Sequence, residues 1–212
     1  MGYSQKNRWI LYEFVEGESL KKKEEKEVPI NIASLVESLK EIHSVNIDRR
    51  NESYEEYLRN LVTNLKSRLY NSGLNEPLYS SVNKAIRYLD KERKHLKNTT
   101  LCRVHGDLNG SNILIGENKN VESIVDWEFS HIGSSYLDIA QFTNRGNDFD
   151  KEFQERYFNS CMNKRSYDFF LVYFLVKIIL NNSPKNLEKI AFIRDEKLKI
   201  VESKSKRLME MF

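Results

Sequence analysis

The stretch that most constrains the fold is 101–128, where three short apolar runs interrupt a chain that otherwise reads as helical. Leu101 to Val104, Asn112 to Ile115 and Val121 to Val125 have the length and composition of short strands. Gly116-Glu-Asn-Lys-Asn120, between the last two, is a hairpin turn. Two polar loops border these strands. One is His105-Gly-Asp-Leu-Asn-Gly-Ser-Asn112, the other Val125-Asp-Trp-Glu128. A hairpin folds its ends together, so Asn112 at its start and Asp126 at its end are expected to face one point.

Helical periodicity surrounds this insertion. Leu35, Leu39 and Ile42 share one face of a predicted helix from Ile30 to Val45. Two more helices are predicted at Tyr54–Tyr70 and Leu78–Leu96, separated by the stop signal Asn71-Ser72-Gly73. After Gly133 the pattern predicts helices at Tyr136–Phe142, Lys151–Met162 and Tyr167–Asn181, then a long basic one from Asn186 to the end. Trp9 to Val15 reads as a strand that ends at Glu16-Gly17. The fold class is therefore α+β, mostly helical, with an embedded β-hairpin.

Length and charge narrow the possibilities. At 212 residues the chain can form one domain with a sizeable core, or two small lobes. Lys and Arg number 34 against 31 Asp and Glu, and they are scattered, so no basic face argues for a nucleic-acid partner. The charges of Lys21 to Glu27 nearly cancel, which reads as a solvated loop or a helix start. Cys102 and Cys161 have no metal-ligand spacing, and no signal peptide is evident, so a reduced, cytoplasmic protein is expected. Phe169 to Leu180, broken once by Lys177, is too short for a bilayer and is expected to be a buried helix, not a membrane span.

The loops carry the chemistry. Phosphoryl transfer from a nucleotide needs a carboxylate to orient or deprotonate the acceptor hydroxyl, and oxygen ligands for magnesium. Asp107 and Asn112 keep the five-residue offset such a loop requires, and Asp126 arrives fourteen residues later, beyond the hairpin. Taken singly, Asp107 could be a turn residue and Asp126 could simply close a strand. His105 is expected to orient the loop through hydrogen bonds, His43 to be a packed histidine and Trp127 to be core. Glu128 stays open between a second cation and a basic neighbour.

His105-Gly-Asp-Leu-x-x-x-Asn-Ile-Leu114, followed by Ile124-Val-Asp-Trp-Glu128, resembles the signature of the aminoglycoside phosphotransferase and choline kinase-like families, whose fold is protein kinase-like. His43-Ser44 closing a helix, Tyr136-Leu-Asp-Ile-Ala140 and Leu11-Tyr-Glu-Phe-Val-Glu-Gly17 extend the resemblance in the same order. It implies an ATP- and Mg2+-dependent phosphotransferase with a small-molecule hydroxyl as acceptor. Asp107 would be catalytic, Asn112 and Asp126 would hold magnesium, and His105 and Asp138 would support the loop. The Glu13 carbonyl and Val15 amide would hold adenine at a hinge. Asn109 stands where many members carry His. Residues 1–17 would be the last strand and hinge of an N-lobe, and 18–212 the kinase-like C-terminal lobe.

No glycine-rich loop occurs in the sequence, Gly2 is the only glycine before Glu13, and the nearby Lys6 has no partner helix. The N-lobe is expected to be missing. A gene fragment is the favoured account. The others are an N-lobe supplied by another chain, with self-association of the exposed lobe, and a catalytically silent binding module. For the acceptor, Glu152, Glu155, Asp168, Asp195 and Glu196 are candidate carboxylates for a polycation. Tyr167, Phe169, Phe170, Tyr173 and Phe174 could cage a choline-like cation but are expected to be core.

Overall fold

A computed structural model describes residues 2–4, 9–11, 14–26, 29–45, 53–96, 100–144, 147–159, 161–183, 203–204, 206–208 and 210–211, with backbone alone for 2–11. Chain order within them is β1 (Gly2–Ser4), β2 (Trp9–Leu11), β3 (Glu18–Ser19), α1 (Leu20–Glu25), α2 (Ile32–Ser44), α3 (Tyr54–Tyr70) and α4 (Leu78–Glu92). There follow β4 (Cys102–Val104), β5 (Ile113–Ile115), β6 (Val121–Ile124), β7 (His131–Gly133), α5 (Ser135–Phe142), α6 (Asp148–Phe158) and α7 (Lys164–Asn181). This is a mostly helical α+β architecture with three small antiparallel sheets among the described residues.

The helices form where the apolar spacing requires them. In α3, Leu58, Val62, Leu65 and Leu69 recur at three- and four-residue steps and are all buried. Ser53 caps the helix by accepting from the Glu56 amide, and Gly73 follows its end at φ 67°. Helix α4 repeats the pattern with Val82, Ala85, Ile86 and Leu89. Both pack on α7, which also lies against α5. Helix α7 is therefore buried on nearly every side, from Phe169 and Phe170 to Ile179 and Leu180. No described helix is long and apolar enough to cross a membrane.

The predicted hairpin is β5–β6, pairing Ile113 with Ile124 and Leu114 with Ser123, with a register shift before Ile115 meets Val121. Its turn is anchored to the start of α2. Asn31 caps that helix through its Oδ1, while its Nδ2 donates to Asn120 Oδ1 at 2.8 Å and its amide donates to the Lys119 carbonyl at 3.0 Å. The Val121 amide donates to Ser34 Oγ at 3.0 Å. Strand β3 extends this sheet by pairing with β5, and β4 pairs separately with β7.

Several expectations need correction. Of the strand predicted from Trp9 to Val15, Trp9–Leu11 is a strand paired with β1, 12–13 lie outside the described residues, and Phe14 and Val15 belong to no sheet. The helix predicted at Lys151–Met162 runs instead from Asp148 to Phe158, because Asn147 caps it and Asn159 turns left-handed at φ 47°. Trp127 is 37% exposed rather than core, since a short 3-10 turn at Trp127–Phe129 rotates it outward. The predicted final helix lies almost wholly outside the described residues. Tyr167, Phe169, Phe170, Tyr173 and Phe174, by contrast, are buried as expected and form no open cage.

Cys102 is buried on β4, and burial, with the nearby Asp138 charge, pushes its thiol up to about 12. Cys161 is exposed. Thiol labelling of the native chain at neutral pH is therefore expected to modify Cys161 and spare Cys102 until denaturant is added. Equal labelling of both in buffer would show that β4 opens readily.

Candidate active site

Strand β4 ends at Val104, and the chain must then reverse. Gly106 does this at φ 80°, a conformation that disfavours a side chain, and a Cβ there would sit 2.3 Å from the Phe129 carbonyl oxygen. The turn is held from behind by Asp138, in the first turn of α5 and fully buried. Its Oδ2 accepts from the His105 amide at 2.7 Å and its Oδ1 from the Gly106 amide at 2.9 Å. His43 Nε2 adds a third hydrogen bond to Oδ2 at 3.0 Å, and His43 Nδ1 lies 2.6 Å from the Tyr157 hydroxyl. His43 is thus a packed histidine whose two ring nitrogens are both engaged.

His105 joins the two polar loops. Its Nδ1 accepts from the Asp107 amide at 3.2 Å, which leaves Nε2 to donate to the Val125 carbonyl at 2.8 Å. Asn112 completes the link. Its side-chain Nδ2 donates to the Asp107 carbonyl at 3.0 Å, and its own carbonyl accepts from the Val125 amide at 2.9 Å. Asp107 and Asn112 therefore belong to one hydrogen-bonded frame that reaches Val125, the residue before Asp126. Asp126 stands just past β6 in the left-handed region, φ 67° and ψ 58°, a strained backbone that Asp tolerates better than most residues. Trp127 lies over His105 with ring centroids 4.7 Å apart.

The Asp107 carboxylate is half-buried, and Gln141 Nε2 donates to its Oδ1 at 2.8 Å. Asn109 Nδ2 donates to the Asp107 carbonyl at 3.0 Å and lies at 3.5 Å from Oδ2. Lys177 Nζ, on α7, is 3.4 Å from the Gly106 carbonyl. Burial lowers its pKa while the Asp107 charge raises it. Asp107 and Lys177 line one cavity of about 430 Å³. Gln141 and Lys177 were not singled out as site residues by the sequence reading. Both left signals: Gln141 follows Asp138 by one helical turn, and Lys177 is the one charge in an apolar run.

The donor set for a cation is small. Asn112 Nδ2 is committed to a carbonyl, so Oδ1 is the atom left to bind, and the Asp126 carboxylate is exposed with no partner among the described residues. No three His, Cys, Asp or Glu side chains cluster among those residues. One carboxylate and one amide oxygen suit magnesium, which takes few protein ligands and fills its shell with water and phosphate oxygens. Val15 is half-buried in the segment leading into β3, and Glu13 lies outside the described residues. Of the candidate acceptor carboxylates, Glu152 pairs with Arg156, Asp168 pairs with Lys164 and Glu155 is exposed, none lining the Asp107 cavity. Asp195 and Glu196 lie outside the described residues. Glu128 is exposed and without a partner among them.

Residues 2–168 match the phosphotransferase enzyme family, APH. No curated protein matches the chain. Among solved structures, a thermostable mutant of aminoglycoside phosphotransferase APH(4)-Ia, in ternary complex with AMP-PNP and hygromycin B, is similar with a TM-score of 0.67 and 15% identity, over 90% of this chain and 70% of that one. The GDP complex of wild-type aminoglycoside 2'-phosphotransferase-IIIa is similar at TM-score 0.64 and 16% identity, over 92% and 70%. A choline/ethanolamine kinase family protein from Mesorhizobium loti reaches TM-score 0.66 and 18% identity, over 96% and 68%. At these identities the likeness is one of fold.

Asp138→Asn replaces one accepting oxygen with an NH2 group that must oppose an N–H donor. The expected cost is about 1.5–3 kcal/mol, the worth of a hydrogen bond to a charged group. Urea unfolding should show it as a lower midpoint at unchanged slope. An unshifted midpoint would mean that the carboxylate does not hold the turn.

Proposed function

The chain belongs to the phosphotransferase enzyme family, and from that premise we propose that it transfers the γ-phosphate of ATP to a hydroxyl of a small molecule, with magnesium. The observation that carries this reading is the His105 bridge, which ties Asp107 to Val125 and so to Asp126. The Asp107 carboxylate, held at Oδ1 by Gln141, would orient the acceptor hydroxyl and take its proton as the new P–O bond forms and ADP leaves. Asn112 Oδ1 and the Asp126 carboxylate would hold magnesium, which when bound neutralises phosphate charge. His105 and Asp138 keep the loop in place without touching the reacting atoms.

In this reading, residues 1–17 are the last N-lobe strand and the hinge, and 18–212 form the C-terminal lobe. The Glu13 carbonyl and Val15 amide would receive adenine. The fold relative that holds AMP-PNP together with hygromycin B supports a site for nucleotide and acceptor side by side. Alignment and charge stabilisation supply most of the rate in phosphoryl transfer. These 212 residues contain no glycine-rich loop, so turnover by this polypeptide is expected to be small, while magnesium-dependent nucleotide binding persists weakly.

Titration of the purified chain with AMP-PNP, with magnesium and with a chelator, tests the proposal. Binding should require magnesium and should weaken in Asp126→Ala by roughly 10- to 100-fold, the equivalent of one contact to a charged group of about 1.5–3 kcal/mol. Binding that ignores magnesium and Asp126 would instead support a catalytically silent binding module. Robust turnover with ATP, lost in Asp107→Ala, would show that the catalytic loop needs less help with alignment than argued above.

A further inference from the structure

Four of the ten residues that line the cavity beside Asp107 are carboxamides. Asn109, Gln141, Asn144 and Asn181 contribute to its wall, with Lys177 on α7 and Asp107 itself. Asp107 is the only carboxylate among its described lining residues. Three cations are associated with its wall. Lys177 lies within it, Arg68 donates to Asn181 Oδ1, and Lys204 donates to Asn144 Oδ1.

We propose that this cavity binds an uncharged, hydroxyl-rich acceptor, a monosaccharide or polyol, and rejects polyamines and quaternary ammonium compounds. The inference rests on the reading that Asp107 faces the acceptor. Gln141 donates to Asp107 through Nε2, but its Oε1 is buried without a hydrogen-bond partner, and such a carboxamide oxygen suits a hydroxyl that must both give and receive. Lys177 is half-buried with a single long hydrogen bond to a carbonyl, so its remaining N–H groups suit neutral oxygens. A polycation would need several carboxylates here and would instead meet three like charges. A quaternary ammonium would need a set of ring faces, and Phe129 and Phe174 are the only aromatic residues in the described lining. An anionic acceptor would be opposed by Asp107 and by the phosphate it must approach. A volume of about 430 Å³ lies within the usual small-molecule range of about 300–1,000 Å³.

The test is direct binding to the purified chain, by calorimetry and ligand-detected NMR, of glucose, ribose, myo-inositol, gluconate, choline and hygromycin B. At least one neutral polyol should bind, with gluconate, choline and hygromycin B weaker. Lys177→Met should lower polyol affinity roughly tenfold, about one charge-assisted hydrogen bond. Asn181→Asp, at an exposed rim position that should tolerate the change, should raise hygromycin B affinity roughly threefold, about one exposed ion pair. Tighter binding of choline, gluconate or hygromycin B than of any neutral polyol overturns the inference. So does the absence of polyol binding, or affinity indifferent to both substitutions. AMP-PNP binding on the same sample separates the two readings. Nucleotide without polyol sinks this inference alone, and polyol without nucleotide sinks the kinase reading alone.

Discussion

Asp138 is a carboxylate with no exposure to water, and its position is tenable only because three donors converge on it. Removing such a charge from water costs several kcal/mol, which attraction alone repays poorly unless hydrogen bonds fill its lone pairs. Two of those donors are consecutive backbone amides, His105 and Gly106. They can point at one carboxylate only if the chain bends where Gly106 takes φ 80°. The buried charge and the left-handed glycine therefore depend on each other. The third donor, His43 on α2, couples the helical layer to the loop, so the turn is fixed by elements far apart in the chain.

From that turn the order of the site follows. Once His105 is fixed by its backbone, its ring reaches both the Asp107 amide and the Val125 carbonyl. The hairpin contributes the second constraint, because pairing of Ile113 with Ile124 sets Asn112 opposite Val125. The turn of that hairpin is bonded to the N-terminus of α2 through Asn31 and Ser34. Both ends of the hairpin are thereby anchored to parts of one helical scaffold. Such pre-set geometry is what phosphoryl transfer requires, since the protein's contribution there is positioning and electrostatics rather than covalent chemistry.

Much of this was legible in the sequence wherever a local rule sufficed. Helix α3 carries its own cap at Ser53, a periodic apolar face and a glycine stop, so its limits at Tyr54 and Tyr70 needed no tertiary information. The hairpin announced itself through Gly116-Glu-Asn-Lys-Asn120. What stayed hidden depends on distant partners. Strand β3 is two residues long and exists because β5 is beside it, and β7 exists because β4 is. Trp127 sits in an apolar pattern, yet the left-handed Asp126 before it rotates it toward solvent, an event with no periodic signature. Gln141 and Lys177 are visible as residue types. Their approach to Asp107 and Gly106 depends on how α5 and α7 pack.

Helix α7 also shows why stability and chemistry separate cleanly at some residues and not at others. It is enclosed along most of its length, so a lysine within it pays a desolvation penalty that nearby negative charge offsets. Asp107 supplies that charge and a neighbouring carbonyl supplies an acceptor, so both favour the charged form of Lys177. Altering either changes both the cavity and the balance of buried charge, and a loss of binding there must be read together with a loss of stability. Asp126 lies at the opposite limit. It is exposed, unpaired among the described residues and in an unfavourable backbone conformation. Folding gains little from a carboxylate so placed, and backbone strain retained at such a position is the kind that accompanies a binding role.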